Sequence, residues 1–287
     1  MNQLRLATRG SPLALWQARW VAARLRHAHP GLRVAVVPLV SSGDRDRVTA
    51  LYASSDVGMF VREIQEAVLC GDCDAGVHSC KDLPTTLPAG LTLAAIPGRA
   101  DARDCLLGAA SIGALAHGAL VGTSSLRRQY QLQLLRPDLR FEPLRGNVET
   151  RLAKIDAGQL DATLLACAGL TRLGAMRRAR AVALPVEMVV PAPAQGAVAV
   201  DCRVADTRTR RLLAGITDRT AATAIGIERQ VLASFAGGCS LPLGCYAERH
   251  GAVWSVVGRL SSRGAAVDGT YRGAAAGAAA AIVAQLR

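Results

Sequence analysis

A chain of 287 residues is longer than one hydrophobic core ordinarily serves, so two or three domains are expected and a single small module is excluded. Hydrophobic residues make up 51% of it and aromatic ones only 3%, which excludes wholesale disorder and predicts cores packed from Ala, Leu and Val. Thirty-four basic against 22 acidic residues leave a formal charge of +12, and with Lys81 and Lys154 as the two lysines the positive field is almost all guanidinium, suited to carboxylate or phosphate; an arginine-rich proteome would give the same balance.

The chain enters the strand-like LRLATRG at residue 4 with no leader pattern ahead of it, and no uncharged apolar run approaches the length of a membrane span. The expectation is a cytoplasmic protein with no membrane association. SPLALWQARWVAARLRHAH follows as a helix capped by Ser11 with Pro12 at its first position, Leu13, Trp16, Trp20 and Leu25 supplying part of its apolar stripe. RVAVVPLV (33–40) reads as a strand, SSGDRDRVTALYASSDVG as a long polar loop, and GMFVREIQEAVLCGD as a helix ending near Gly71. DAGVHSCKDLP is a short apolar strand running abruptly into polar residues, the kind of strand end at which open α/β sheets place ligands, and LTLAAIP (91–97) is another strand.

Near Asp101 a second unit begins. ALVGTSSLRRQYQLQLL, DLRFEPLRGNVETRLAKIDAG and ATLLACAGLTRLG each give strand, turn and helix, predicting a mostly parallel sheet. A proline-rich switch at 185–195 leads to a strand at 197–202, which would return the chain to the first sheet. Residues 218–235 read as a helix ahead of GGCSLPLG; AVWSVVGRLSS and AAVDGTYRG alternate as antiparallel strands, and the Ala-rich tail from 274 is helical.

Several motifs carry two readings. TSSLRR (123–128) fits an anion site at a helix start, with Arg127 and Arg128 adding donors, and equally a capped helix with solvent-exposed arginines. LRGNVETR sets Arg145 and Arg151 about a small-residue turn, for an anion or for a surface ion-pair network. Asp82, after His78 and Lys81, suits stabilisation of a cationic reaction centre, or a helix cap or a salt bridge to Lys81; His78 itself reads as a hydrogen-bonded structural residue. The eight cysteines are scattered, as in a reducing compartment. CGDC at 70–73 has redox or half-zinc spacing but lies at a helix end with no second pair, so no metal is expected; Cys80, Cys105, Cys167 and Cys202 read as small buried apolar residues. Cys239 stands in a glycine turn just past a helix, where a thiolate can be presented to a cleft, although an ordinary turn cysteine is the leading reading of these letters alone.

ATRGSPLALWQ (7–17), HSCKDLP (78–84), VGTSSLRRQ (121–129), LRGNVETRL (144–152), AGLTRLG (168–174) and AGGCSLPLG (236–244) follow the order and approximate spacing of one family. Over nearly its entire length the chain resembles the porphobilinogen deaminases, or hydroxymethylbilane synthases. The resemblance implies an α/β fold with two periplasmic-binding-protein type II-like lobes, crossing hinge strands and a small α+β C-terminal domain. It divides the chain into 1–98 with 192–215, 99–191, and a cofactor-bearing 216–287. It implies a dipyrromethane joined by a thioether to Cys239, and a monomeric transferase that condenses four porphobilinogen molecules with loss of ammonia and releases hydroxymethylbilane. By residue matching Asp82 is catalytic; Arg127, Arg128 and Arg151 hold cofactor carboxylates, with Asp44, Lys81, Thr123, Ser124 and Ser125 beside them. Arg9, Arg145 and Arg172, with Ser11, Ser79 and Gln195, serve the substrate or the growing chain.

Departures from the family pattern cluster in one region. Ala53 and Val57 stand at lysine positions, Asp56 adds a negative charge, Gly10 replaces a more usual glutamine and Ser42 a more usual arginine. Each lost cationic contact is worth about 1 to 3 kcal/mol to an anion when well desolvated. A diverged enzyme releasing a shorter or modified pyrrole oligomer therefore stands beside the main expectation, as does a binding protein that holds anions without chemistry. Nucleic acid is not an expected partner, since neither an aromatic-basic platform nor a recognition module is present.

Overall fold

A computed structural model describes residues 3–39, 59–235 and 241–287. Along the chain come β1 (Gln3–Arg9), α1 (Pro12–Ala28), β2 (Arg33–Leu39), α2 (Met59–Leu69), β3 (Ala75–Ser79), a 3-10 turn (Cys80–Asp82) and β4 (Leu91–Ala95). Next are β5 (Asp104–Leu107), β6 (Leu120–Gly122), α3 (Leu126–Leu135), β7 (Arg140–Glu142), α4 (Val148–Asp156), β8 (Ala162–Ala166), α5 (Cys167–Arg172) and β9 (Val182–Ala183). The last are β10 (Val198–Arg203), α6 (Thr207–Ala214), α7 (Arg219–Ala233), β11 (Leu243–His250), β12 (Val253–Ser262), β13 (Ala265–Gly273) and α8 (Ala278–Leu286). The backbone divides into two compact units, Met1–Arg99 with Ala197–Thr223, and Ala100–Gly196 with Ala224–Arg287.

The first unit holds a five-stranded sheet in the order β2-β1-β3-β10-β4, and the second a five-stranded sheet in the order β7-β6-β8-β5-β9. The two orders are the same. In each, three strands are parallel and the fourth position is antiparallel to both neighbours: β10 against β3 and β4, β5 against β8 and β9. In each unit that antiparallel strand is the one that follows the chain's entry from the other. The two connecting segments run side by side, with an antiparallel bridge between Arg99 and Ala197 and a hydrogen bond from Ala100 N to Gly196 O of 3.0 Å. These are mixed α/β lobes of the type II periplasmic-binding-protein kind, followed by a smaller antiparallel sheet, β11-β12-β13.

The return of the chain to the first sheet is as expected, but the sheets are mixed rather than mostly parallel. Local sequence hides this, because DCLL and VA are too short to signal strands. In α1 the buried face is Ala18, Val21, Ala22 and Leu25, set by the 3.6-residue repeat. Trp16 and Trp20, expected in that stripe, are half-buried and stack on one another with centroids 6.2 Å apart, Trp20 packing on the core's margin. Ser11 caps the helix by accepting a hydrogen bond from Ala14 N, with Pro12 at the first position, as its sequence requires.

Two of the cysteines expected as small apolar residues, Cys105 and Cys167, are instead joined in a disulfide. β5 and β8 pair in antiparallel register, and Cys167 follows directly on β8, so the two side chains meet inside the core. Cys80 and Cys202 are buried. Of the CGDC pair, Cys70 is exposed while Cys73 is buried and its thiol pKa is raised by that burial, opposite to what redox exchange requires.

Candidate functional site

In the first unit the functional candidates lie at the carboxyl ends of parallel strands. Arg9 ends β1, Ser11 opens α1, and Ser79 ends β3 ahead of the turn carrying Lys81 and Asp82. The turn is fixed from behind: Cys80 N donates to Ala197 O at 3.0 Å and Leu83 N to Cys80 O at 3.2 Å. Ser79 Oγ lies 3.0 Å from Gln17 Nε2. Asp82 is exposed, and it makes no hydrogen bond or ion pair among the described residues. Neither the cap nor the bridge to Lys81 accounts for it, which leaves a carboxylate held on a rigid turn without a structural duty.

Beneath that turn is a buried polar group. His78 Nε2 is 3.2 Å from Asp201 Oδ1 across β3 and β10, and Gln65 of α2 donates to Asp201 Oδ2 at 3.1 Å. Gly76 makes room for this, since a Cβ there would come within 2.4 Å of Asp201 Oδ1 and 2.7 Å of His78 Nε2. His78 is buried against Asp201, but the contact lacks hydrogen-bond geometry, so the hydrogen-bonded role read from its sequence is not the one found.

In the second unit the TSSLRR turn joins β6 to α3. Ser125 caps α3 by accepting from Arg128 N at 3.4 Å, Ser124 Oγ donates to Leu144 O at 3.1 Å, and Thr123 N donates to Glu142 O at 2.8 Å. The cap is as expected, but the arginines are not solvent-exposed. Arg127 and Arg128 are buried around Asp104, the first residue of β5. Arg127 Nη2 donates to Asp104 Oδ2 at 2.8 Å and its Nη1 to Val190 O at 2.8 Å. Arg128 reaches Asp104 Oδ1 through Nη2 at 2.6 Å and Nε at 3.2 Å, and Leu164 O through Nη1 at 2.9 Å. Gln195 Nε2 adds bonds to Asp104 Oδ1 at 2.9 Å and to Ala102 O at 2.8 Å. Burial works against the charge on Asp104, yet the two guanidiniums outweigh it and hold the carboxyl well below the usual carboxylate range.

Arg151, in α4, has no such acid. It donates Nε to Gly146 O at 3.0 Å and makes no ion pair among the described residues, so burial, with repulsion from Arg128 added, pushes its pKa down to about 10. Arg145, two residues ahead of the Asn147 cap of α4, is exposed and makes no ion pair among the described residues, so the expected alternative of a surface ion-pair network is not what forms. Arg172 ends α5, donates Nη2 to Gly196 O at 2.7 Å, and is likewise pushed down to about 10 by burial. Arg151, partly buried and with no acid among the described residues, favours an anion carrying carboxylates, because such a guanidinium is relieved when one arrives.

Sequence reasoning missed Asp104, Gln131 and Glu228. Gln131 brackets Val190, donating to its oxygen at 3.1 Å and accepting from its nitrogen at 2.7 Å; buried Glu228 accepts from Ala194 N at 2.6 Å and Ala247 N at 2.7 Å. The available signal was a charged residue opening the apolar run DCLL, or standing inside the apolar helix AIGIERQVL. Cys239 and Asp44, and the departures at Ser42, Ala53, Asp56 and Val57, lie outside the described residues. Among the described residues no group of three or more His, Cys, Asp or Glu is placed to hold a metal ion, and no helix is long and apolar enough to cross a membrane.

In overall backbone the chain is similar to the periplasmic VFT2 domain of BvgS from Bordetella pertussis (TM-score 0.46, 14% identity, covering 75% of this chain and 86% of that one). It is also similar to the periplasmic aliphatic sulphonate binding protein SsuA from Escherichia coli (TM-score 0.43, 14% identity, 82% and 70%). Likenesses at this level carry no functional argument, and the lobe assignment rests on strand order and direction. In sequence, residues 4–211 match the family described as porphobilinogen deaminase, dipyromethane cofactor binding domain. That match takes in β1 through most of α6, with Asp82, both arginines of the TSSLRR turn, Asp104 and Arg151 inside it, and the chain belongs to the porphobilinogen deaminase family.

Proposed function

We propose that this protein is a transferase that condenses porphobilinogen molecules head to tail on a dipyrromethane carried by Cys239, releasing ammonia at each addition and, at the end, the linear tetrapyrrole hydroxymethylbilane. The observation that carries the reading is Asp82, an exposed carboxylate on a fixed turn with no bond of its own among the described residues, in a chain of this family. The residues present fit a polycarboxylate pyrrole chain. Arg145 and Arg151 make no ion pair among the described residues, and each pyrrole unit brings an acetate and a propionate.

Bound dipyrromethane supplies the pyrrole carbon on which chain growth starts. The protein's own residues do the rest electrostatically. Asp82 would stabilise, as a fixed counter-charge and not as a nucleophile, the positive charge that develops on a pyrrole unit as ammonia leaves and as the new carbon–carbon bond forms. Arg127, Arg128 and Arg151 hold carboxylates of the anchored rings, with Lys81, Thr123, Ser124 and Ser125 as polar neighbours, and Arg9, Arg145 and Arg172 serve incoming substrate. Guanidinium suits this duty because it keeps its proton throughout.

Denaturing intact-protein mass spectrometry of the wild type beside Cys239→Ala tests the reading. The wild type should carry a two-ring pyrrole increment absent from the variant, and porphobilinogen should add further one-ring increments before hydroxymethylbilane is released. A wild type that stays unmodified after incubation with porphobilinogen or with hydroxymethylbilane overturns it. A second reading, a two-lobed anion-binding protein without chemistry, is favoured by the shared strand order, which by itself specifies no reaction. Reversible, non-covalent retention of porphobilinogen would support it. Release of a product of other than four rings would instead point to the diverged enzyme suggested by Ala53, Asp56 and Val57.

A further inference from the structure

Asp104 lies outside the six sequence blocks that carry the resemblance, yet four side-chain hydrogen bonds converge on it. It is fully buried, and both of its oxygens are filled by Arg127, Arg128 and Gln195. Two arginines side by side in a core repel one another, and neither would stay buried without an acid between them. Asp104 offsets only one of the two charges. With Arg151 close enough for Arg128 to depress its pKa, the group remains electropositive.

Geometry separates what Asp104 uses from what it leaves. Each guanidinium has five N–H donors in a rigid fork. Arg127 donates one bond from each of Nη1 and Nη2, and Arg128 one from each of Nη1, Nη2 and Nε. Every terminal nitrogen thus keeps a second N–H, in a direction already fixed by the first. Ligand binding then requires no ordering of two long side chains, which would cost about 0.5 to 1.5 kcal/mol for each one immobilised.

We propose that Asp104 is a positioning residue, holding Arg127 and Arg128 in the orientation in which their remaining N–H groups receive the carboxylates of the ligand. The inference deepens the proposed function, and rests on it only for the identity of that ligand. Gln195 fixes Asp104 in turn, from a segment held by Ala194 in a left-handed conformation (φ 64°) and by Gly196 (φ 87°), whose absent side chain would otherwise meet Ala100 O at 2.6 Å.

Two measurements on the full chain test it, with citrate as the probe. In the Cys239→Ala chain, which carries no covalent pyrrole, the Arg128 Nε–H resonance should already be resolved and protected from exchange, and should stay so when citrate is added; a resonance that appears only with citrate overturns the proposal. In the same pyrrole-free background citrate affinity should fall at least tenfold in folded Asp104→Asn, and also in Arg151→Gln, which marks the site. If Asp104 were merely structural, the folded variant would keep wild-type affinity. If it merely competed with ligand, the variant would bind citrate more tightly. Either outcome overturns the proposal, and the resonance test stands even where Asp104→Asn does not fold. A wild type that carries no pyrrole increment and turns over no porphobilinogen, yet gives the expected citrate and resonance results, would defeat the proposed function and leave the role of Asp104 intact.

Discussion

Asp82 and Asp104 are both aspartates beside a strand end, and burial gives them opposite properties. Asp82 spends nothing on the fold, so Asp82→Asn should move stability by less than about 0.5 kcal/mol, as for a surface substitution. Turnover should fall by about 10²- to 10⁴-fold if the carboxylate stabilises a developing cation. Urea melts beside steady-state rates check this, and an Asn variant that keeps full turnover would remove Asp82 from the mechanism. Asp104 is tied into the fold through Arg127, Arg128 and Gln195. Its folded pKa lies below the unfolded value of about 3.9, so the stability it contributes is complete above that value and is lost as pH falls through the lower, folded one. Asp104→Asn should be destabilised at neutral pH and should show a flatter decline in melting temperature below pH 4 than the wild type. Arg151 illustrates the reverse sign: its folded pKa is lowered to about 10 by burial and by Arg128, so its charge costs the ligand-free fold stability at neutral pH. In the pyrrole-free Cys239→Ala chain, Arg151→Gln should raise the melting temperature and lessen the gain from citrate.

At the scale of elements, sequence showed what is periodic or capped and missed what depends on strands meeting. Ser11 with Pro12, Ser125 ahead of LRR and the alternation in β12 each carry their signal within a few residues. β5 does not: three apolar residues behind an aspartate become an interior strand only because the chain enters the second unit between β8 and β9. The Cys105–Cys167 disulfide was invisible for the same reason, since its partners are 62 residues apart and meet through the antiparallel register of β5 with β8. Closing a loop of that length restricts the unfolded chain by about 4 kcal/mol on a chain-entropy basis. Reduction under native conditions, checked by counting alkylated thiols, should therefore lower the urea midpoint by an amount equivalent to about 2 to 4 kcal/mol. An unchanged midpoint would show that the buried cluster of Leu107, Leu152, Leu165 and Leu170 holds these elements without the bond.

For the whole molecule, the six motif blocks fixed the family because they span the chain, and the two-lobed architecture followed from it. Sequence left unread the way the C-terminal segment joins the second unit. β11 begins against the Val190–Pro191 segment: Cys245 N donates to Pro191 O at 2.9 Å, and a Cβ on Gly244 would come within 2.6 Å of Val190 O. Arg127 and Gln131 hold Val190 from the other side, while Glu228 ties Ala194 to Ala247. The proline-rich switch is thus shared between the arginine group and the C-terminal sheet. Deleting residues 224–287 should then loosen the second unit selectively. Hydrogen exchange should quicken across β5, β6 and β8 and leave β1, β3 and β10 near their wild-type protection, because the first unit's core of Leu4, Leu6, Leu25, Val77 and Val200 draws nothing from the deleted residues. Equal loss of protection in both sheets would mean that the two units unfold as one cooperative body, and that the C-terminal segment stabilises the whole chain rather than the unit that carries its contacts.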